Sequence, residues 1–424
     1  MNKLPLEVTQ KVLYSLDDVD SLRAAALSCR ALYAAFTSAE KLITTQVAIR
    51  QIHRDVIPEA LAVEASRGIR EHELDSFAQD YLSTRSIPYA RWRLVDVLPM
   101  IRLYEIVEFL ARRLARAALM NGHPVLSRDS SYQSEPTISE LRRIQRALYR
   151  FHLYCNMFNG VGINVQERLR LYFRYFSTIE HEQLACVQDL LIRLVAKPYN
   201  DLVDHDVRWG ALAAVPYITS SDSELGQHII SRGLERIYEL ATTISHEKRC
   251  WLLRDAEDMR GLSHYRLDDC LEEYAASFLP DETPVRMTFS AFTAEQKTAY
   301  IGKPYCDADH CKGIEDIWES GCGRIFLDRV LNKPMTLKYR LWGYVFWDRE
   351  RIPDNEWQHN FAFARDPLAK FIPTEDLEHT LAQSREERRR IWYAGGSGWW
   401  SFHDRSQVVW PLGSGRGFGR RRDY

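Results

Sequence analysis

Residues 137–158 constrain the fold more than any other stretch of this 424-residue chain. Thr137-Ile138-Ser139-Glu140 has the form of a capping box, in which a threonine hydroxyl and a glutamate three residues on each satisfy the other's backbone N–H. Behind it Leu141, Ile144, Leu148, Phe151, Cys155 and Phe158 recur at steps of three and four, which makes one apolar helix face. Asn159-Gly160 supplies the stop. A stripe this regular excludes a strand, and its neighbours repeat it.

Upstream, Leu42, Val47, Ile49 and Ile52 continue a helical pattern, and Pro58 opens a short helix over Glu59–Ser66. Leu74, Phe77, Ala78 and Tyr81 form a further stripe that ends at Ile87-Pro88. From Leu94 to Leu119, Ile101, Tyr104, Val107, Leu110, Leu114 and Ala117 share one face. Pro99 starts or kinks this helix, and Arg112, Arg113 and Arg116 read as its solvated side. Asn121–Pro136, rich in Ser, Gly, Asn and Pro, reads as a mobile surface loop.

Downstream come three more stripes. The first is Leu169, Tyr172, Phe173 and Phe176. The second is Leu184, Val187, Leu191 and Leu194, halted before Pro198. The third is Ile230, Leu234, Ile237, Ala241 and Ile244, with a short piece from Cys250 to Leu253. With few strand signals before residue 275, the expected fold class is mainly α.

Past Pro280 the character changes. Eight of the 11 tryptophans lie beyond residue 300, and Gly and Pro become frequent, so an irregular, aromatic-rich region with few short strands is expected. Leu341–Trp347 reads as a strand or a short buried helix. Gly395–Trp400 reads as a tight turn beside aromatic packing, and Ser406–Trp410 as a short strand. Large aromatics bury much area, so Trp342, Tyr344, Phe346 and Trp347 are expected to cover the helical part. Trp399 and Trp400 are candidate substrate-binding residues. Adjacent on an extended segment, they face opposite ways, so one can anchor while the other faces out. The expected layout is 1–40, a helical linker 41–90, a helical domain 91–280 and the region 281–424 packed on it.

Hydrophobic residues make up 46% and charged residues 27%, which excludes the disordered classes. The net charge of −2 gives no argument for a nucleic-acid or membrane partner. No apolar run approaches the roughly 20 residues of a membrane span, and the N-terminus lacks the pattern of a signal peptide. Eight cysteines without paired spacing read as reduced, so a cytosolic or nuclear location is expected.

The N-terminal stretch Leu4–Phe36 is the part that speaks to function. Leu4-Pro5 suits a helix start, and Val8, Val12, Leu13 and Leu16 follow at helical spacing. Asp17-Asp18-Val19-Asp20 breaks that helix, and Asp20 or Ser21 can cap the next, which carries Leu22, Ala25, Ala26 and Leu27. Cys29-Arg30-Ala31-Leu32-Tyr33 opens a third. In order and spacing, Leu4, Pro5, Glu7, Val12, Leu16, Leu22, Cys29 and Arg30 resemble the F-box family. Many F-boxes carry Trp where this chain has Leu32, so an apolar residue is kept there without the aromatic ring.

The resemblance implies a three-helix F-box docking on a Skp-type adaptor, and through it on a cullin-RING ubiquitin ligase. It implies contact through Leu4, Pro5, Val8, Val12, Leu13, Leu16, Leu22, Leu27 and Leu32. The remainder would recruit a protein substrate, and the chain itself would be a non-catalytic subunit with no cofactor. In length and layout the whole chain is similar to fungal F-box proteins whose C-terminal region has no assigned repeat. No period of 20–50 residues is present, which argues against leucine-rich, propeller and kelch-type substrate domains.

Two other classes stay open: an F-box protein with a structural or regulatory role outside a ligase, and a hydrolase or metalloenzyme. For the latter, Cys306, His310, Cys311 and Cys322 are the most ligand-like cluster. Their spacing matches no common zinc finger, so ordinary loop cysteines are the preferred reading. His181-Glu182 lacks the second histidine of a zinc-protease helix, because position 185 is Ala185. Gly413, Gly415 and Gly417 leave no room for a dinucleotide fold, and no Lys-Ser/Thr pair follows the Gly395 turn. Asp255, Glu257, Asp258, Asp268 and Asp269 read as solvated helix carboxylates.

Overall fold

The computed structural model describes residues 4–85, 92–120, 135–212, 215–220, 223–254, 267–278, 293–295, 297, 337, 340–351, 367–372 and 374–411. These residues are mainly helical, as the periodicity requires. The two strands among them are two residues each. The helices are α1 (Leu6–Tyr14), α2 (Val19–Ser28), α3 (Arg30–Ser38), α4 (Glu40–Ile52), α5 (Ile57–Ala65), α6 (Leu74–Phe77), α7 (Leu94–Met120) and α8 (Ile138–Phe158). Then follow α9 (Val165–Leu171), α10 (Thr178–His205), α11 (Val207–Ala211), α12 (Glu224–Ile230), α13 (Leu234–Thr242), α14 (His246–Leu253), α15 (Leu267–Phe278) and α16 (Glu375–Tyr393). Strand β1 (Ser397–Gly398) pairs antiparallel with β2 (Val408–Val409).

The chain forms two compact units. One comprises 1–190, 233–235 and 266–364; the other comprises 191–232, 236–265 and 365–424. These divisions differ from the sequence-based layout.

In the first unit α8 is the central element. Its capping box is formed: Thr137 Oγ1 accepts from Glu140 N at 3.2 Å, and Glu140 Oε2 accepts from Thr137 N at 2.8 Å. The helix is buried almost along its whole length, against α5 and α7 among others. Its polar residues are therefore paired rather than solvated, as burial demands. Glu140 Oε1 accepts from Asp348 N at 3.0 Å and Arg351 Nε at 2.7 Å. Arg143 Nη1 donates to the Phe346 carbonyl and to Asp348, both at 2.8 Å.

Residues 341–347 are neither a strand nor a full helix. They form a compact turn with Gly343 at φ 72°, and Trp342, Tyr344, Phe346 and Trp347 are all buried in the first unit. Tyr344 OH donates to Glu182 at 3.0 Å, and Trp347 Nε1 donates to the Trp342 carbonyl at 2.7 Å.

Two sequence-based boundaries move. α10 does not stop before Pro198; the proline sits inside the helix, which runs on to His205. It lacks only the one N–H that would reach the Leu194 carbonyl. Val195, Ala196, Tyr199 and Leu202 are fully buried around it, and that packing outweighs one lost bond. The stripe from Ile230 to Ile244 is two helices, α12 and α13, parted at Gly233 with φ 87°, and Ile244 is 91% exposed. Asn121–Pro136 and the helix end at Ile87-Pro88 fall mostly or wholly outside the described residues.

The larger correction is α16, a 19-residue helix in a region expected to be irregular. Thr374 caps it by accepting from Leu377 N at 3.3 Å, and Glu387–Arg390 and Glu386–Arg389 pairs line its outer side. Its buried positions are Ser384, Arg388 and Ile391, two of them polar, so no apolar stripe betrays it. Arg388 is the pivot of the second unit. It is 1% exposed and donates through Nη1 to the Val203 carbonyl at 2.7 Å and the Asp206 carbonyl at 3.0 Å. It thereby closes the C-terminal end of α10. Burial pushes its guanidinium down to about 10, against the pull of Tyr217, Asp204 and Asp206.

Gly210 in α11 makes room for this arginine. A Cβ there would lie 2.5 Å from Arg388 Nε and 2.7 Å from its Cβ, too close for either group to stay put. Gly210→Ala gains roughly 1 kcal/mol in helix propensity but overpacks the site by about 1–3 kcal/mol. A net destabilisation of up to about 2 kcal/mol is expected on this balance. Chemical denaturation of the two chains checks it, and a stabilised variant would show that Arg388 is free to move.

Candidate functional site

The three helices at the N-terminus close on a small core. Leu13, Val19 and Leu22 are fully buried, and Ala35, Ala26, Phe36 and Leu32 complete the set. Asp18 rather than Asp20 or Ser21 caps α2, its Oδ1 accepting from Ser21 N at 2.6 Å. That bond, with one from the Ser21 hydroxyl, holds the Asp18 carboxyl below its ordinary range. Pro5 occupies the cap position of α1, one residue before its first turn, where a missing N–H costs nothing.

α4 clamps the module from behind. Arg50 Nη1 donates to the Tyr14 carbonyl at 3.0 Å and to the Leu16 carbonyl, and Gln51 Oε1 accepts from Val19 N at 2.9 Å. These bonds satisfy backbone groups that the end of α1 and the start of α2 leave open. Gln10 Nε2 donates to Ser38 Oγ at 2.9 Å, tying α1 to the end of α3.

The nine expected contact residues fall into three groups. Leu13, Leu22 and Leu32 belong to the module's own core. Leu16 is half-buried. Leu4, Pro5, Val8, Val12 and Leu27 face solvent, with Leu4 at 51%, Val12 at 50% and Leu27 at 67%. The split follows from helix geometry. Val12 and Leu13 are neighbours in sequence, about 100° apart around the axis, so only one can point inward. Leu4, Val8 and Val12 follow at four-residue spacing on the outward side.

Leu6, Tyr14 and Tyr33 are exposed as well and were not singled out in the sequence. A short helix that carries apolar residues on its outer as well as its inner side has more apolar surface than its own core uses. Clustered exposure of this kind marks partner sites.

The second candidate lies in the second unit. β1 and the turn before it bring Trp399 and Trp400 out on opposite sides, as expected of adjacent extended residues. Trp400 is 1% exposed and packs with Val207, Ile391 and Val408. Trp399 is half-buried, its ring centroid 4.6 Å from that of His205. Two hydrogen bonds fix the pair: Trp400 N donates to the His205 carbonyl at 2.8 Å, and the His205 side chain donates through Nδ1 to the Trp400 carbonyl at 3.0 Å. Gly398 is required here. Its φ is 90°, and a Cβ would come within 2.8 Å of the Gln407 carbonyl oxygen. Trp400 is therefore an anchor, and Trp399 alone of the two offers a ring face to a ligand.

Cys306, His310, Cys311 and Cys322 lie outside the described residues. No described helix is long and apolar enough to cross a membrane. No family model, no curated protein and no solved structure matches the chain.

Proposed function

We propose that the chain is the substrate-recruiting F-box subunit of a Skp–cullin–F-box-type ubiquitin ligase. The observation that carries the reading is the outward set Leu4, Pro5, Val8, Val12 and Leu27, mounted on a three-helix module whose own core is already filled. The ordered resemblance of Leu4–Phe36 to the F-box supplies the partner: a Skp-type adaptor presenting an apolar groove. The rest of the chain holds a protein substrate, with Trp399 as the ring offered to it. The subunit performs no chemistry. It acts by proximity, raising the effective concentration of substrate beside the ligase.

Affinity purification of the tagged chain tests this. The wild type is expected to recover adaptor, cullin and further proteins. The double variant Leu4→Ala/Pro5→Ala is expected to lose adaptor and cullin together while keeping the others. Recovery of the same partners by both chains would count against the reading.

A further inference from the structure

Away from the N-terminal module, three side chains in the second unit bring their donor atoms to a common point. Asp206 caps α11, and His246 and Cys250 stand one turn apart on α14. Asp206 Oδ2 lies 2.9 Å from His246 Nε2 and 3.4 Å from Cys250 Sγ, and Sγ lies 3.5 Å from the same Nε2. All three atoms lie within 4.8 Å of one another.

This is not the geometry of a nucleophilic triad. There the acid and the nucleophile take different nitrogens of the imidazole, so that a proton can pass along a line. Here carboxylate and thiol meet the same nitrogen, and the three atoms make a closed triangle. A closed triangle of one sulfur, one nitrogen and one oxygen is what a single cation needs. With zinc bond lengths near 2.0–2.3 Å, ligand atoms on a tetrahedral centre stand about 3.3–3.6 Å apart. Two of the three observed separations fall in that range, and the third is shorter by a few tenths of an ångström.

The geometry points to a zinc-class divalent cation site formed by Asp206, His246 and Cys250. The donor set decides the class of ion. A thiolate and an imidazole select zinc or cobalt(II) over calcium and magnesium, which take oxygen ligands. Three protein ligands leave the fourth tetrahedral position to water or an incoming donor, and His246 and Cys250 are both partly open to solvent.

The surroundings hold the ligands in place. Asp206 Oδ1 accepts from Trp209 N at 2.8 Å, which leaves Oδ2 for the site. The Asp206 carbonyl is held by Arg388, as above. α14 is fixed by Arg249, which donates to the Thr243 carbonyl at 2.9 Å and to Asp201 at 2.8 Å. Binding takes the proton from the Cys250 thiol to solvent and places the imidazole proton on Nδ1.

The test uses the full chain, stripped with chelator and titrated with cobalt(II). One equivalent is expected to raise a near-ultraviolet thiolate-to-cobalt band that zinc abolishes by displacement. Cys250→Ser should remove the band, and His246→Ala should lose the same equivalent on equilibrium dialysis. Mass-spectrometric mapping of alkylation reads the wild type directly, where zinc should slow modification of Cys250. No protection of Cys250 by zinc, or an unchanged band in Cys250→Ser, would overturn the assignment and leave the three groups as a hydrogen-bonded trio.

Discussion

Replacing Glu180 with Gln is expected to destabilise the first unit by about 3–5 kcal/mol, the range for stripping one charge from a buried ion cluster. Glu180 is 5% exposed and its Oε1 lies 2.8 Å from Arg150 Nη2 and 2.6 Å from Arg85 Nη1. Arg150, 1% exposed, also reaches Glu59 Oε1 at 3.0 Å and Gln183 Oε1 at 3.1 Å. Arg85 donates to the Tyr175 carbonyl and lies over the Phe176 ring. Ser177 N caps the other carboxylate oxygen at 2.7 Å. Two carboxylates face two guanidinium groups, so removing one leaves a net positive charge against the fully buried Arg150.

The same cluster gives a pH signature. Burial alone would raise the Glu180 carboxyl, but Arg150 and Arg85 outweigh it and hold the group well below the usual carboxylate range. A carboxylate whose folded value is depressed contributes its full stabilisation above its unfolded value of about 4.3. That contribution is lost as pH falls through this value and below. Urea midpoints at neutral pH and near pH 4 check both points. The gap between wild type and Glu180→Gln should be widest at neutral pH and narrow in acid. A gap of less than about 1 kcal/mol at neutral pH would mean that solvent reaches the cluster.

Trp400→Ala is the second large effect, about 3–5 kcal/mol for a fully buried tryptophan whose cavity cannot collapse. The cavity would open among Val207, Ile391 and Val408, which join α11, α16 and β2. Collapse is resisted because the flanking backbone is pinned, by the Trp400–His205 pair of bonds and by the positive-φ glycines at 395 and 398. Trp399→Ala is the matched control. It removes a half-buried ring that packs at a tilt against His205 and should leave the denaturation midpoint nearly unchanged. Equal losses in both variants would contradict the division into anchor and presented ring.

The helical class and most of the first unit were legible because apolar periodicity and packing coincide there. The Thr137–Glu140 box and the stripe behind it describe α8 well. What the stripe could not show is that α8 buries its polar side too, since Arg143, Arg146 and Arg150 look like a solvated face until their partners, up to 205 residues away, are in place. α16 was invisible for the opposite reason: its inward face is built on Ser384 and Arg388. Pro198 misled because tertiary burial overrode a local breaker.

In the N-terminal module the apolar spacing marked the helices, but inside and outside were not separable. Val8 and Leu13 both fit a helical stripe, and only the docking of α2 and α3 decides which is covered. The Asp206–His246–Cys250 cluster needed the fold, because Asp206 is 40 residues from His246. The His-x-x-x-Cys spacing at the start of α14 was the one signal available.

The adaptor surface is the central claim, and a direct binding measurement on purified components tests it. Titrating the full chain with a purified Skp-type adaptor should give a saturable one-to-one complex. Leu4→Ala/Pro5→Ala should weaken it by about tenfold or more, roughly 1.4 kcal/mol, since two exposed apolar groups leave the interface. The melting temperature should stay that of the wild type, because neither residue is in the core. No complex with the wild type, or equal affinity for both chains, would contradict the account.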